Sequence, residues 1–312
     1  MTFLHETPDF GDLIAIVGRD LSIDPALIEK DYWIMHCLYG LQQLGLSFEL
    51  KGGTSLSKGF RLIHRFSEDI DIQINPTEKL PTGKNHTKAA HIEARRAYFD
   101  GLANTIAIAG VTSVERDEAF DDERMRSAGI RLIYTSQNEI PAGVKDGVLL
   151  EAGFDQVAPN SPCDFSSWAY DRAIESGVTD IVDNRAMGVA CYNPEYTLVE
   201  KLHAISRKFR QQQADGSMPQ NFMRHYYDVY CLLAHDTVLA FLGSENYKAH
   251  KAAKFTQNDE HDLRENEAFL LAAKETRKLY QDAYESTRAL YYQDMPSFDA
   301  ILERIAAYAE RL

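Results

Sequence analysis

The spacing of hydrophobic positions changes twice along the chain and divides it into three regions. Residues 8–45 carry apolar side chains at three- and four-residue spacing, and the pair Asp24-Pro25 marks the start of a helix. The middle region, residues 47–155, contains short apolar or alternating segments that predict strands. These predicted strands are 48–51, 69–74, 111–115, 129–135 and 148–154.

Helical spacing returns between the second and third predicted strands, over about residues 87–109, and again from about residue 195 onward. The predicted C-terminal helices are 195–209, 221–233, 238–254, 267–292 and 297–312. Strands mixed with helices in this order favour a mixed or antiparallel sheet. We therefore predict an α+β fold, with N-terminal helices and the sheet in residues 1–190 and an all-helical C-terminal domain in residues 191–312.

Composition narrows the class of protein. The chain has 312 residues, of which 45% are hydrophobic, and 47 acidic against 33 basic residues give a net charge of −14. These values exclude wholesale disorder and argue against indiscriminate coating of nucleic acid, which needs a broad positive surface. The sequence shows no secretory signal, no membrane-length apolar run and no paired cysteines, so we expect a cytoplasmic location without membrane contact.

Candidate chemistry is concentrated in the second predicted strand. Asp69 and Asp71 alternate there with isoleucines, so both carboxylates project from one face while the isoleucines enter the core. Strand geometry puts their Cα atoms roughly 7 Å apart, close enough for their oxygens to converge on Mg²⁺. The spacing therefore predicts a metal site.

A glycine pair follows the first predicted strand. Gly52 and Gly53 allow backbone N–H groups to approach an anion, and Thr54 and Ser55 can begin a helix whose N-terminus attracts negative charge. The expected anion is a triphosphate. Alone, such a pair is more often a plain turn, and two alternating aspartates are more often a solvated strand face.

Together, glycine turn, helix and acidic strand resemble the signature of the DNA polymerase β-like nucleotidyltransferase superfamily. That resemblance implies a third carboxylate on a neighbouring strand. We assign it to Glu151, which interrupts an apolar strand and is expensive to bury without a metal or cationic partner. Asp155 is the alternative.

The similarity extends to one family within the superfamily. The segments 28–33, 51–56, 65–71, 250–255 and 295–299 resemble the AbiEii/AbiGii toxin family of nucleotidyltransferases, so the resemblance spans essentially the whole chain. The family also has a lysine and an aspartate on consecutive C-terminal helices, which match Lys201 and Asp228.

These matches imply roles for the C-terminal residues. Lys201 lies on or beside the apolar stripe of its helix and is expected to hold the phosphates of the nucleotide. Asp228 is expected to be required for activity, whether it orients Lys201, supports the metal ligands or acts as a base. Ser67 and Arg65 are candidate ligands of the β- and γ-phosphates, although Arg65 is equally interpretable as an ion-pair partner of Glu68 or Asp69.

The resemblance implies a metal-dependent enzyme that uses Mg²⁺ or Mn²⁺ and an NTP. It further implies a toxin with a separately encoded antitoxin, which adds nucleotides to the 3′ end of tRNA and blocks translation. Basic residues in 201–210 and 248–254 suit RNA phosphates, but they suit a triphosphate alone equally well. The alternatives are the same chemistry on a protein or small molecule, and an inactive NTP-binding protein.

Two further residues near the acidic strand carry no functional prediction. Lys58 and His64 are interpreted as exposed helix residues.

Overall fold

The computed structural model of the chain describes residues 1–76, 79–83, 85–139, 144–154, 159–219, 221–293 and 295–312. Two compact units are present. The first is formed by Met1–Phe60 and Ser67–Tyr192, and the second by Arg61–Phe66 and Asn193–Leu312.

The first unit is built on a seven-stranded sheet with the order β3-β4-β5-β2-β1-β7-β6. Its strands are β1 Phe48–Lys51, β2 Asp69–Ile74, β3 Val111–Asp117, β4 Ser127–Tyr134, β5 Val148–Gly153, β6 Asn160–Phe165 and β7 Ala186–Tyr192. Strand β2 lies near the centre, antiparallel to β1 and parallel to β5. The predicted mixed sheet and α+β class are therefore confirmed.

Helices accompany the sheet in the same unit. They are α1 Phe10–Leu21, α2 Pro25–Gln43, α3 Gly52–Thr54, α4 Ala89–Thr105 and α5 Trp168–Glu175, and α3 continues as a π-helical turn over Ser55–Gly59. Helix α2 begins where the sequence predicts, because Pro25 occupies its first turn and the Asp24 carboxylate accepts a hydrogen bond from the Ala26 N–H at 2.9 Å. Nearly all of α2 is buried, including three consecutive charged residues, Glu29–Asp31.

Apart from the non-helical segment 61–66, the described residues of the second unit form helices and their connections. Its helices are α6 Pro194–Asp215, α7 Phe222–Leu232, α8 Asp236–Phe241, α9 Glu245–Lys254, α10 Glu267–Leu270, α11 Lys274–Glu285 and α12 Phe298–Tyr308. Two of the predicted helices are divided. Gly243 and Leu271 adopt left-handed backbone conformations, with φ of 75° and 43°, and such residues end a helix even where the apolar spacing continues.

Three elements of the first unit escape the sequence patterns: β6, β7 and α5. Strand β6 carries Pro162, and it lies at the edge of the sheet, where a missing N–H is tolerated. Among the described residues, no helix combines the length and the apolar character that a membrane crossing requires.

Candidate active site

Three carboxylates share one face of the sheet in the first unit. Asp71 pairs with Glu151 in the register of the parallel strands β2 and β5, and Asp69 lies two residues earlier on the same face. Ile70 and Ile72 point the other way and are fully buried. In β5, Glu151 is the one residue that is not buried, which is the interruption visible in the sequence.

Burial and the neighbouring carboxylates make Glu151 a weaker acid than an ordinary glutamate. Burial, followed by the negative charges of Asp71 and Asp69, raises the pKa of Glu151 from 4.5 to about 8. Lys145 acts in the opposite direction, and its ammonium donates to both carboxylate oxygens of Asp69 at 3.0 Å.

The donor set fits a hard divalent cation. Carboxylate oxygens are the ligands that Mg²⁺ and Mn²⁺ prefer, and a positive ion would offset both the burial and the repulsion that raise the pKa of Glu151. Within the part of the chain that the structure describes, no three His, Cys, Asp or Glu side chains form a ready-made metal cluster. The carboxylate of Asp69 forms an ion pair with the ammonium of Lys145. Asp155, the alternative third ligand, falls outside the described residues.

The glycine turn makes room for one of the carboxylates. Gly52 has a φ of +78°, and a Cβ at this position would overlap the Oδ2 atom of Asp71. Thr54 donates its hydroxyl to the backbone carbonyl of Asp69 at 2.6 Å, and Ser55 donates to the carbonyl of Gly52 at 3.0 Å. Thr54 therefore fixes the turn against β2, and Ser55 stabilises the turn itself.

Other predicted nucleotide ligands lie around the same turn and strand. Gly53 is buried within α3, and Ser67 is half-buried two residues before β2. The hydroxyls of Thr54 and Ser55 are buried and already donate hydrogen bonds. Any contact of this turn with an anion therefore falls to its backbone N–H groups.

The second unit contains a separate charged cluster around Asp228 of α7. This carboxylate is fully buried, and it accepts hydrogen bonds from the Nε and Nη2 atoms of Arg65 at 2.7 Å each. The ammonium of Lys201, on α6, lies 3.0 Å from its Oδ2 atom. Lys201 is itself buried beside Leu198 and Leu202, as the apolar stripe of its helix predicts.

The cluster holds Asp228 in its charged form. Burial alone would raise the pKa of this carboxyl, but Arg65 and then Lys201 outweigh it, so the pKa lies below its ordinary value of 3.8. One carboxylate faces two cations, which leaves one positive charge in excess among these three groups.

Arg65 has a different partner from those considered in the sequence. Its guanidinium pairs with Asp228, and its Nη1 atom donates to the carbonyl of Phe66 at 3.0 Å. The two carboxylates considered in the sequence have partners in the first unit: Glu68 accepts a hydrogen bond from the backbone N–H of Lys145, and the Lys145 ammonium pairs with Asp69.

Two lysines near the acidic face are not among the predicted site residues. Lys145 precedes β5 in an irregular segment, and Lys30 is buried in α2, where its ammonium donates to the carbonyl of Lys145. Burial lowers the pKa of Lys30 from 10.5 to about 8, although Glu68 and Asp69 partly restore it. Only the folded sheet brings these charges together.

The interpretation of Lys58 as an exposed residue is wrong. Its ammonium lies 2.9 Å from a carboxylate oxygen of Asp31, which is buried, and 4.3 Å from the ring centre of Trp168. Asp31 also accepts a hydrogen bond from the backbone N–H of Trp168 at 2.9 Å, at the start of α5. A buried carboxylate requires such a partner, and the helical pattern around Lys58 gives no sign of it.

His64 is half-buried in the non-helical segment 61–66, so its interpretation as an exposed helix residue is also wrong.

The basic residues of the second unit are largely paired. Arg210 forms an ion pair with Asp259, Lys254 with Glu200 and Lys248 with Glu245. Lys251 donates to the carbonyls of His261 and Leu312. These pairs reduce the positive field that the sequence alone suggested for this part of the chain.

A mixed sheet that presents carboxylates from adjacent strands on one face, in a chain with a helical second unit, is the organisation of a nucleotidyltransferase. Residues 34–304 match the family described as nucleotidyl transferase AbiEii toxin of type IV toxin–antitoxin systems. The chain belongs to this family, which confirms the resemblance and the enzyme class found in the sequence. Membership also implies an NTP substrate and a separate antitoxin.

The comparison with solved structures adds a distant similarity. An antigenic nucleotidyltransferase-like protein from Paracoccidioides brasiliensis matches at 13% identity, over 87% of this chain and 97% of that chain, with a TM-score of 0.33. No curated protein sequence matches the chain.

Proposed function

We propose that this enzyme transfers a nucleotide from an NTP to the 3′ end of a tRNA and thereby blocks translation as the toxin of its pair. The observation that supports the chemistry is the position of Asp69, Asp71 and Glu151 on one face of adjacent strands, where burial and then the charges of Asp71 and Asp69 raise the pKa of Glu151 to about 8. Such a face favours binding of a divalent cation.

The first unit would hold the metal and phosphates of the nucleotide. Asp69, Asp71 and Glu151 are the proposed ligands of Mg²⁺ or Mn²⁺. When bound there, a divalent ion would stabilise the charge that develops on the attacking and leaving oxygens. The phosphates would be met by the backbone N–H groups of the turn that begins at Gly52, and by Ser67.

The second unit would contribute positive charge. Lys201 belongs to a cluster with one positive charge in excess, and we propose that this charge binds a phosphate. The positive charge of Lys201 also affects His225. Burial and then the charges of Lys201 and Lys208 hold the pKa of His225 well below its ordinary value. Binding of a triphosphate would offset this excess.

Asp228 and Arg65 are proposed as positioning residues. A general base must take up a proton, but Arg65 and Lys201 hold the pKa of Asp228 below its ordinary value, and the side chain is fully buried. Asp228 would therefore orient the ammonium of Lys201, while Arg65 fixes Asp228 through two hydrogen bonds.

The reaction forms a bond between the acceptor hydroxyl oxygen and the α-phosphorus, and it breaks the bond from that phosphorus to the bridging oxygen of pyrophosphate. The hydroxyl proton is released and pyrophosphate leaves. Positioning and charge stabilisation supply most of the catalysis in phosphoryl chemistry, so few groups of the protein need to exchange protons.

Incubation of the purified protein with Mg²⁺, total tRNA and each α-³²P-labelled NTP tests the proposal. We expect label in tRNA with the wild type and none with Asp69→Ala or Lys201→Met. Asp282→Asn, which changes an exposed carboxylate of α11, is the control that keeps activity. Growth arrest on expression should likewise be lost in Asp71→Ala.

The pairing of the basic residues described above supports a second candidate, in which the acceptor is a protein or a small molecule. If RNA phosphates are not the target, label will appear in a protein or small molecule of a cell extract, and that outcome would replace tRNA in the proposal. Nucleotide binding without transfer to any acceptor would instead indicate an inactive NTP-binding protein.

A further inference from the structure

The backbone of Lys145 is held at both of its polar groups. Its N–H donates to the carboxylate of Glu68 at 3.0 Å, and its carbonyl accepts a hydrogen bond from the ammonium of Lys30. Glu68 and Lys30 are each 2% exposed. Residue 145 is therefore anchored by two buried charged side chains, although it lies in an irregular segment.

Its side chain is directed onto the acidic face. The ammonium lies 3.0 Å from both oxygens of Asp69 and 4.7 Å from the centre of the Phe120 ring, and the side chain is only 11% exposed. A lysine side chain that is ordered in this way gives up the rotamer entropy that it would keep in solvent. Because its main chain is anchored, the ammonium of Lys145 lies against one carboxylate, that of Asp69.

The geometry points to Lys145 as a built-in counter-ion of the acidic face, which neutralises Asp69 in the metal-free enzyme and competes with the divalent cation. This inference rests on the proposed function, because it assigns a role toward the same cation. A cation bound by Asp69 would lie beside the ammonium, and repulsion between like charges at such distances amounts to more than about 1 kcal/mol even in water. Lys145 would thus weaken metal binding while it keeps the carboxylates together in the absence of metal.

Titration of the full-length protein with Mn²⁺, with free Mn²⁺ followed by electron paramagnetic resonance, tests this role without any activity measurement. We expect Lys145→Met to bind Mn²⁺ about tenfold more tightly than the wild type or more, whereas Lys145→Arg keeps the wild-type affinity. Lys145→Gln is a second neutral variant and should behave as Lys145→Met does. Lys88→Met removes the same charge from an exposed position and should leave the affinity unchanged.

The outcomes separate this inference from the proposed function. Loss of Mn²⁺ binding in Asp71→Asn supports the acidic face as the metal site, whatever Lys145 does. If binding depends on Asp71 but folded Lys145→Met and Lys145→Gln bind no more tightly than the wild type, the counter-ion role is wrong and the proposed function stands. If neither the wild type nor any Lys145 variant binds Mn²⁺, both are overturned.

Discussion

Replacement of Lys201 by methionine should abolish nucleotide transfer and leave the free energy of unfolding nearly unchanged. The reason lies in the division of charge around Asp228. Arg65 already forms a bidentate pair with this carboxylate at 2.7 Å, so removal of Lys201 leaves one cation facing one anion. The excess positive charge disappears, and with it the proposed phosphate ligand.

The magnitude follows from burial. Methionine keeps the apolar stem of Lys201, and the lost ion pair is balanced by relief from burying an ammonium, so we expect a change within about 1 kcal/mol. Asp228→Ala differs because it leaves two cations without their carboxylate at a position that is 0% exposed. Loss of one partner from a buried pair typically destabilises by about 3–5 kcal/mol.

Urea unfolding at neutral pH distinguishes the two variants. Both tryptophans, Trp33 and Trp168, belong to the first unit, so their fluorescence does not report on the helical unit that contains Asp228. Circular dichroism at 222 nm follows the helices of both units and therefore includes the unit that contains Asp228. The expected result is a near wild-type transition for Lys201→Met and an early transition for Asp228→Ala, with no nucleotide transfer by either protein.

Acid titration gives an independent control. Because the pKa of Asp228 is lower in the folded protein than its ordinary 3.8, its stabilising contribution is present above that value and is lost as the pH falls through the folded pKa. Asp228→Asn should remove this part of the acid sensitivity. The reasoning is refuted if Lys201→Met unfolds as early as Asp228→Ala, or if Lys201→Met retains wild-type transfer.

Three further predictions concern the first unit. In EDTA, the raised pKa of Glu151 should make the wild type progressively less stable as the pH rises from about 4.5 to about 8, and Glu151→Gln should remove this dependence in urea unfolding. Gly52→Ala should abolish transfer because its Cβ overlaps Asp71, whereas Gly45→Ala, which has a similar φ of +70° and open space, should retain it; equal loss in both would contradict the steric argument. Thr54→Val should lower kcat, because the turn loses its hydrogen bond to β2, and an unchanged kcat would show that the bond is dispensable.

The sequence patterns predict the acidic face well because its geometry is local. Alternation in β2 determines that Asp69 and Asp71 share a side of the strand, and the single acidic residue in apolar β5 identifies Glu151. The register that pairs Asp71 with Glu151 joins residues 80 positions apart, and no local pattern contains it. Only the assembled sheet explains why Gly52 must lack a side chain.

Other features depend on tertiary contacts that leave no periodic signal. Lys145 lies in an irregular segment of the chain, but its side-chain and backbone partners Asp69 and Lys30 lie in β2 and α2. The partner of Arg65, Asp228, is 163 residues away, so proximity in sequence favoured the wrong carboxylates. Strand β6 is short and contains a proline, which is typical of an edge strand and gives little apolar alternation.

The mass of tRNA after incubation with the enzyme, Mg²⁺ and all four NTPs tests the central claim most directly. Intact-mass spectrometry of the purified tRNA should show a gain of one or more nucleoside monophosphate residues, confined to the 3′-terminal fragment after nuclease digestion. The gain should be absent with Asp71→Asn. An unchanged tRNA mass with active-site-intact protein, or a gain that persists in Asp71→Asn, would contradict the account.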